Sequence, residues 1–336
     1  MNHTVDKGDT DATGALWSLT TGYVVPRMLF AAAELGVADQ LDGTPRPISE
    51  VATAVGADPG ALARILLGLA AAGVFKVEGD AVTHSDLSRF LREDHPRSIR
   101  PFIRMIHSDW SWRAWGEVLH TARTGATATG KLFPKGIWAH FVDNPAAGAL
   151  FNQAMTAKAH ADIADVLAAY DFSRFARIVD IGGGRGHFLN ALAAKIPQIQ
   201  PTLFDLPHVM ADAEAGLAPR VVRHPGDFFA DPLPQADAYF LMDILHDWSD
   251  ADAVRILRAV RQAMAPGSRV IVADLVLEDS GELDPARTLD LLMLVITGGR
   301  ERTLPELSAL FEQSGLRLDG VTRTHTQRCL VEGVAA

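Results

Sequence analysis

Four stretches of the chain set chemically capable side chains beside residues that shape the backbone. The first is Asp180-Ile181-Gly182-Gly183-Gly184-Arg185-Gly186-His187-Phe188, glycines between an apolar run and a helical one. Glycine lets a backbone approach a ligand closely, and the start of the next helix offers N–H groups with no intrahelical partner. Its spacing of Gly182, Gly184 and Gly186 is not the G-x-G-x-x-G of dinucleotide folds, which would need glycine at His187. The second, Phe204-Asp205-Leu206-Pro207, offers a carboxylate able to accept both hydroxyls of a ribose. The third, Gly226-Asp227-Phe228-Phe229, offers an acceptor for an adenine amino group and a ring to pack on the base. Each carboxylate alone could equally cap a turn, but at three successive strand ends they describe a nucleoside. In the fourth, Leu241–Asp250, His246 leaves a strand at the same edge, and Ser249 with Asp252 reads as a capping box for the next helix. Asp274 ends the following strand, and Glu301 stands in Gly298-Gly299-Arg300-Glu301-Arg302-Thr303. Thr303 with Glu306 reads as a second capping box, which leaves Glu301 exposed on its loop. An imidazole between carboxylates is a sensible general base, because acids orient the ring and stabilise its protonated form.

Such an edge requires a sheet. Strands are expected at Arg177–Ile181, Pro201–Phe204, Val221–His224, Ala238–Asp243, Arg269–Asp274, Leu316–Thr322 and Arg328–Val334, with helices at His187–Ile196, Asp250–Met264, Ala286–Ile296 and Leu304–Ser314. That alternation is an α/β fold with ligands at the carboxyl ends of its strands. Upstream, Leu16–Leu41 has helical spacing, Ser49 is expected to cap Glu50–Val55, Asp58-Pro59 opens another helix, and Gly79-Asp80 joins Phe75–Val77 to Ala81–Thr83 as a hairpin. Helix, helix, hairpin is the outline of a winged helix. Residues 46–80 hold three basic and four acidic side chains, so packing or dimerisation fits this part better than DNA binding. Residues 84–140 read as helical and contain Trp110, Trp112, Trp115 and Trp138, either a core or the wall of an aromatic pocket. Asn144-Pro145 starts a helix with Phe151, Met155, Ile163 and Val166 near one face.

Composition agrees. The 336 residues suggest about two domains, with 48% hydrophobic and 21% charged residues. With 31 basic and 41 acidic side chains the net charge is −10, which disfavours nucleic acid as a partner. The lone Cys329 cannot form an internal disulfide, Met1–Asp11 has no apolar core of a signal peptide, and no apolar run approaches the ~20 residues that span a bilayer. A cytoplasmic protein with no membrane partner is expected. No cluster of metal ligands stands out, so a metal-free mechanism is expected.

The motifs at Asp180–Gly186, Phe204–Pro207, Gly226–Phe229, Leu245–Asp250 and Gly298–Thr303 resemble those of the class I S-adenosylmethionine-dependent small-molecule O-methyltransferases. The likeness is to plant caffeic acid and isoflavone enzymes and to bacterial aromatic polyketide enzymes, and it runs from about Leu16 to the C-terminus. It implies a Rossmann-like sheet of seven strands, the last antiparallel, behind a winged-helix-like dimerisation domain. The expected division is a mobile tail over 1–11, the dimerisation domain over 12–100, a helical linker and acceptor-pocket region over 101–172, and the cofactor-binding catalytic domain over 173–336. The resemblance further implies that Gly182 and Gly184 face the methionine part of S-adenosylmethionine, that Asp205 with Leu206 holds the ribose, and that Asp227 and Phe228 hold the adenine. Met242 stands where the plant enzymes carry lysine, so its cofactor contacts are backbone or apolar; Lys158 stands where they carry histidine, and Asp243 where many bacterial relatives carry a base. His246 is implied as the base flanked by Asp274 and Glu301, with Phe151, Met155, Trp248 and Met293 near a small aromatic acceptor. A homodimer whose subunits contribute to each other's acceptor pocket is implied too. The alternative is a family member that binds the cofactor but hydroxylates or decarboxylates instead; the complete set of His246, Asp274 and Glu301 favours methyl transfer.

Overall fold

The computed structural model of the protein describes residues 7–213, 216–278, 281, 283–325 and 328–336. The chain divides into two compact units, one of residues through Asp109 with Ala149–Ala157, the other of Trp110–Gly148 with Lys158–Ala336.

The first unit holds helices α1 (Lys7–Thr21) and α2 (Val24–Leu35), strand β1 (Arg46–Pro47), helices α3 (Ile48–Val55) and α4 (Pro59–Ala71), strands β2 (Phe75–Glu78) and β3 (Ala81–His84), and helix α5 (Arg100–Ile106). Residues 1–6 of the expected tail lie outside the described residues, and Lys7–Asp11 is already helical, so a helix replaces the rest of that tail. α4 begins where the Asp58 carboxylate accepts from the Ala61 N–H at 2.7 Å and Pro59 presets the first turn. Ser49 does not cap α3 as expected. That helix starts two residues earlier than expected, at Ile48 after Pro47, and the Ser49 carbonyl accepts from the Thr53 hydroxyl. The hairpin turns at Gly79 and β1 adds to β3, giving the order β1-β3-β2 over a core of Val51, Leu66, Leu69, Phe75 and Val82.

The helical stretch 101–172 forms no unit of its own. It supplies α6 (Asp109–Gly116), α7 (Val118–Thr124), α8 (Ala128–Leu132), α9 (Ile137–Asp143) and α10 (Pro145–Ala169), and the Ala149–Ala157 stretch of α10 belongs to the first unit, its two ends to the second. Trp110 is buried edge-on to Phe141 at 5.2 Å, whereas Trp112 and Trp138 are exposed, so the tryptophans do not make one wall.

The remainder is the sheet. In chain order it comprises β4 (Arg177–Ile181), α11 (His187–Lys195), β5 (Gln200–Asp205), α12 (Pro207–Ala213), β6 (Val222–Pro225), β7 (Ala238–Met242), α13 (Asp250–Ala263), β8 (Arg269–Leu275), α14 (Pro285–Ile296), α15 (Leu304–Gln313), β9 (Leu316–Arg323) and β10 (Arg328–Ala335). The order is β6-β5-β4-β7-β8-β10-β9, with β10 antiparallel to both neighbours and the other pairs parallel. Both faces are covered. Val179, Leu241 and Val272 pack with Leu257 of α13 and Phe311 of α15, while Ile178, Phe240 and Ile271 pack with Phe188 of α11 and Val166 of α10. The central strands β4, β7 and β8, buried on both faces, read as near-continuous apolar runs, whereas edge strand β9 alternates. From β4 the chain winds outward to β6, then returns to the other side of β4 as β7. The carboxyl ends of β4, β5 and β7 therefore surround one crevice, the switch point where open α/β sheets bind ligands.

Candidate active site

At the crevice, β4 runs into glycines whose left-handed backbones residues with a Cβ rarely adopt: φ is 69° at Gly182 and 59° at Gly184. A Cβ on Gly182 would lie 2.5 Å from the Ile244 side chain. Nothing lies within 4 Å of one on Gly184, so that loop is open on the ligand side. Asp205, at the end of β5, accepts from the N–H of Gly184 at 2.8 Å and from the N–H of Leu206 at 2.7 Å. Each oxygen keeps a second lone pair for a hydroxyl. Burial raises its pKa against those two bonds. Below the loop Asp180 is buried, and burial with the nearby charge of Asp205 pushes its carboxyl up to about 8. After β6, Asp227 accepts from the Phe229 N–H at 2.8 Å with one oxygen, forming the turn that presents Phe228.

The base candidate sits on a turn built by two motifs that fit each other. His246 is 6% exposed, and its Nδ1 is 2.6 Å from a carboxylate oxygen of Glu301, itself 1% exposed. Glu301 is thus buried on the ring, not free on its loop as the sequence suggested. Its backbone N–H donates to Asp290 of α14 at 3.1 Å. The next residue, Arg302, is 3% exposed and clamps the His246 turn, donating to the carbonyls of Leu245 and Trp248 at 2.8 Å each and to Asp250 at 2.9 Å. A Cβ on Gly299 would come within 1.9 Å of the His246 carbonyl oxygen. Arg302 and Gly299 were quoted in the sequence only as members of a motif; what singles them out is a mating turn 52 to 57 residues away.

Asp274 does not flank the ring by a hydrogen bond. Its carboxylate accepts from the Asp243 N–H at 3.1 Å, and the second carboxylate near the imidazole is Asp247, 3.9 Å from Nε2. Burial alone would lower the pKa of His246, but the bond and charge of Glu301 outweigh it, with Asp247 and Asp243 adding to push the imidazole up to about 10. Burial raises Asp247 to about 6 and Asp274 to about 7, in each case against the attraction of His246. The edge therefore carries more carboxylates than cations, an environment suited to a cationic ligand.

The remaining candidates scatter. Met242 is half-buried at the end of β7 against the apolar core. Met293, on α14, is buried, and its carbonyl accepts from the N–H groups of Thr297 and Gly298. Trp248 packs edge-on to Phe229 at 4.7 Å and Phe228 at 5.8 Å, on the expected adenine side, and also lines a hollow of about 270 Å³ with Asp247, Trp138, Thr129 and Ile296. Phe151 and Met155 belong to the first unit, both half-buried on α10.

Comparison with known proteins covers nearly the whole chain. Residues 17–94 match the O-methyltransferase dimerisation domain, and residues 103–317 match the O-methyltransferase domain. The chain is 37% identical to the phenazine O-methyltransferase PhzM of Lysobacter antibioticus, over 97% of each protein. It is 39% identical to the mitomycin biosynthesis 6-O-methyltransferase of Streptomyces lavendulae, over 87% of this chain and 86% of that one. The SAH-bound form of CalO1, a methyltransferase in calicheamicin biosynthesis, superposes with a TM-score of 0.88 at 33% identity, covering 99% of this chain and 100% of that one.

Proposed function

The chain belongs to the O-methyltransferase family that acts on small aromatic metabolites and uses S-adenosylmethionine, and from that premise we propose that it methylates a phenolic hydroxyl with His246 as the general base. The observation that carries the reading is the 2.6 Å bond between Nδ1 and Glu301, which fixes the ring and leaves Nε2 as the nitrogen open to an acceptor. When bound, the cofactor supplies a methyl group already activated on a sulfonium cation, whose charge the surplus carboxylates of this edge offset. Gly182, Gly184, Asp205 with Leu206, Asp227, Phe228 and the Met242 backbone are the residues that would hold it.

The chain's own work is to align and deprotonate. In-line attack needs the acceptor oxygen ~3–3.5 Å from the methyl carbon, and a positioned base adds ~10²–10⁴-fold. With the imidazole at about 10, it is protonated at neutral pH in the free protein. A phenol of pKa ~10 and this imidazole are matched acids, so a single proton is shared between them at little cost. The productive complex holds one proton fewer than the free protein plus phenol, so kcat/KM rises with pH on the acid side. The hollow beside Asp247, walled by Trp138 and Trp248, offers an aromatic ring a place next to the His246 turn. The dimerisation domain and the exposed Leu16, Trp17 and Leu19 of α1 support a homodimer.

The test pairs calorimetric titration of S-adenosylmethionine and S-adenosylhomocysteine, with Asp205→Ala as control and NADH as competitor, with mass spectrometry of phenols after turnover. His246→Ala is expected to lose ~10²–10⁴-fold in kcat while keeping its affinity for S-adenosylhomocysteine. Undiminished turnover would remove His246 from the mechanism and leave alignment alone.

A further inference from the structure

Asp243 is the one non-glycine residue with positive φ among the described residues, at 55°. A left-handed backbone costs a residue with a Cβ ~1–3 kcal/mol and persists only where the surroundings enforce it. Here the enforcement is visible. Lys158 of α10 donates to one carboxylate oxygen of Asp243 at 2.6 Å, and Arg328 of β10 donates to the other at 2.8 Å. Arg328 is 1% exposed and also binds Asp162 of α10 at 2.6 Å and the Ala273 carbonyl at 2.7 Å. Lys158 lies 3.8 Å from Asp162, closing a quartet of two cations and two carboxylates. The Asp243 N–H is held as well, by Asp274 at 3.1 Å. Asp243 follows the last residue of β7 and precedes His246 by three, so its φ decides the direction in which the chain leaves the strand toward the base.

We propose that Asp243 is a positioning residue for His246: the quartet holds its left-handed backbone, and through it the aim of the ring and the field in which the ring sits. The inference rests on the reading of His246 as the base. The groups that face this ring are Glu301 from the loop before α15, Asp247 from its own turn, Asp243 from the end of β7 and Asp274 from the end of β8, with Lys158 and Arg328 acting through Asp243. Removing the carboxylate of Asp243 takes away a charge that favours the imidazolium, so Asp243→Asn lowers the pKa of His246. Removing the cation that offsets Asp243 does the reverse, so Lys158→Met raises it. A purely architectural quartet would move both variants the same way.

The experiment is an NMR titration of the His246 ring in the protein saturated with S-adenosylhomocysteine, the signal assigned by its loss in His246→Gln. Shifts in opposite directions, each on the order of one pH unit, are expected for Asp243→Asn and Lys158→Met. Shifts that are absent or of one sign overturn the proposal. Lys158→Met leaves the Arg328 pair intact and guards against misfolding of the first variant. Backbone aim is read from the low-field N–H signal of the His246–Glu301 bond. It is expected to survive in Asp243→Gly, where φ near 55° is free of strain, and to be lost in Asp243→Ala; equal behaviour of the two overturns the positioning role. Failure of the wild type to methylate any phenol would remove the base assignment, while these ring signals would still report on the quartet itself.

Discussion

His246 and Glu301 form the pair on which the chemistry turns, and their charges make a sharp pH prediction. Glu301→Gln keeps the size of the side chain but removes the charge that holds the imidazole at about 10, so the pKa of His246 falls and the acid limb of log kcat/KM moves to lower pH. Stability follows by linkage. A base whose folded pKa is raised contributes stability that is fully present below its unfolded value of ~6.5 and is lost as pH rises through the folded one. The deficit in thermal midpoint of Glu301→Gln relative to wild type is therefore expected to be largest at pH 6 and to shrink toward pH 10; a deficit that does not change with pH would show that the ion pair does not hold the proton. The identities of both residues, and by resemblance their pairing, were legible in the sequence, but the burial of Glu301 was not. The capping box of Thr303 and Glu306 forms as expected, with the Thr303 N–H donating to Glu306 at 2.9 Å. It says nothing about the direction of Glu301, because burial of a loop side chain depends on what packs over it.

At the scale of elements, the turn after β7 and the loop before α15 are complementary surfaces. Gly299 has no side chain because the backbone of His246 and Asp247 occupies that space. Gly299→Ala is expected to displace the turn and lower kcat by ~10²-fold, the cost of roughly 1 Å of misplacement, with affinity for S-adenosylhomocysteine within about threefold of wild type. Gly320→Ala, whose Cβ meets nothing within 4 Å, is the control, and equal kcat in the two variants would show that the glycine contact does not aim the base. The strands themselves were read to within a residue or so at each end, since runs such as Arg177–Ile181 are apolar on both faces and bounded by turn residues. Ser49 misled because a serine before an acidic residue has the composition of a cap, while the cap position is Pro47, two residues earlier. Asp274, expected beside the ring, acts on it through charge and without a hydrogen bond, because its carboxylate accepts from the backbone N–H of Asp243.

Over the whole molecule, exposed apolar side chains gather on the first two helices, with Trp17 72% and Leu19 78% exposed. Such a surface on a dimerisation domain calls for a second copy. Light scattering is expected to give twice the chain's 36.2 kDa at micromolar concentration, and Leu19→Glu to shift the population toward the monomer; a monomeric wild type would refute the dimer. The sequence by itself determined the sheet, the glycine loop, the carboxylates of the crevice and the presence of an imidazole at its edge, because these depend on local patterns of period two, period 3.6 and backbone freedom. Tertiary structure decided which carboxylate meets the ring, that Arg302 and Gly299 hold its turn, and that Lys158, Asp162 and Arg328 converge on Asp243. Those partners come from segments 52 to 170 residues apart, and no local rule selects among many charged side chains the few that a particular packing removes from water together.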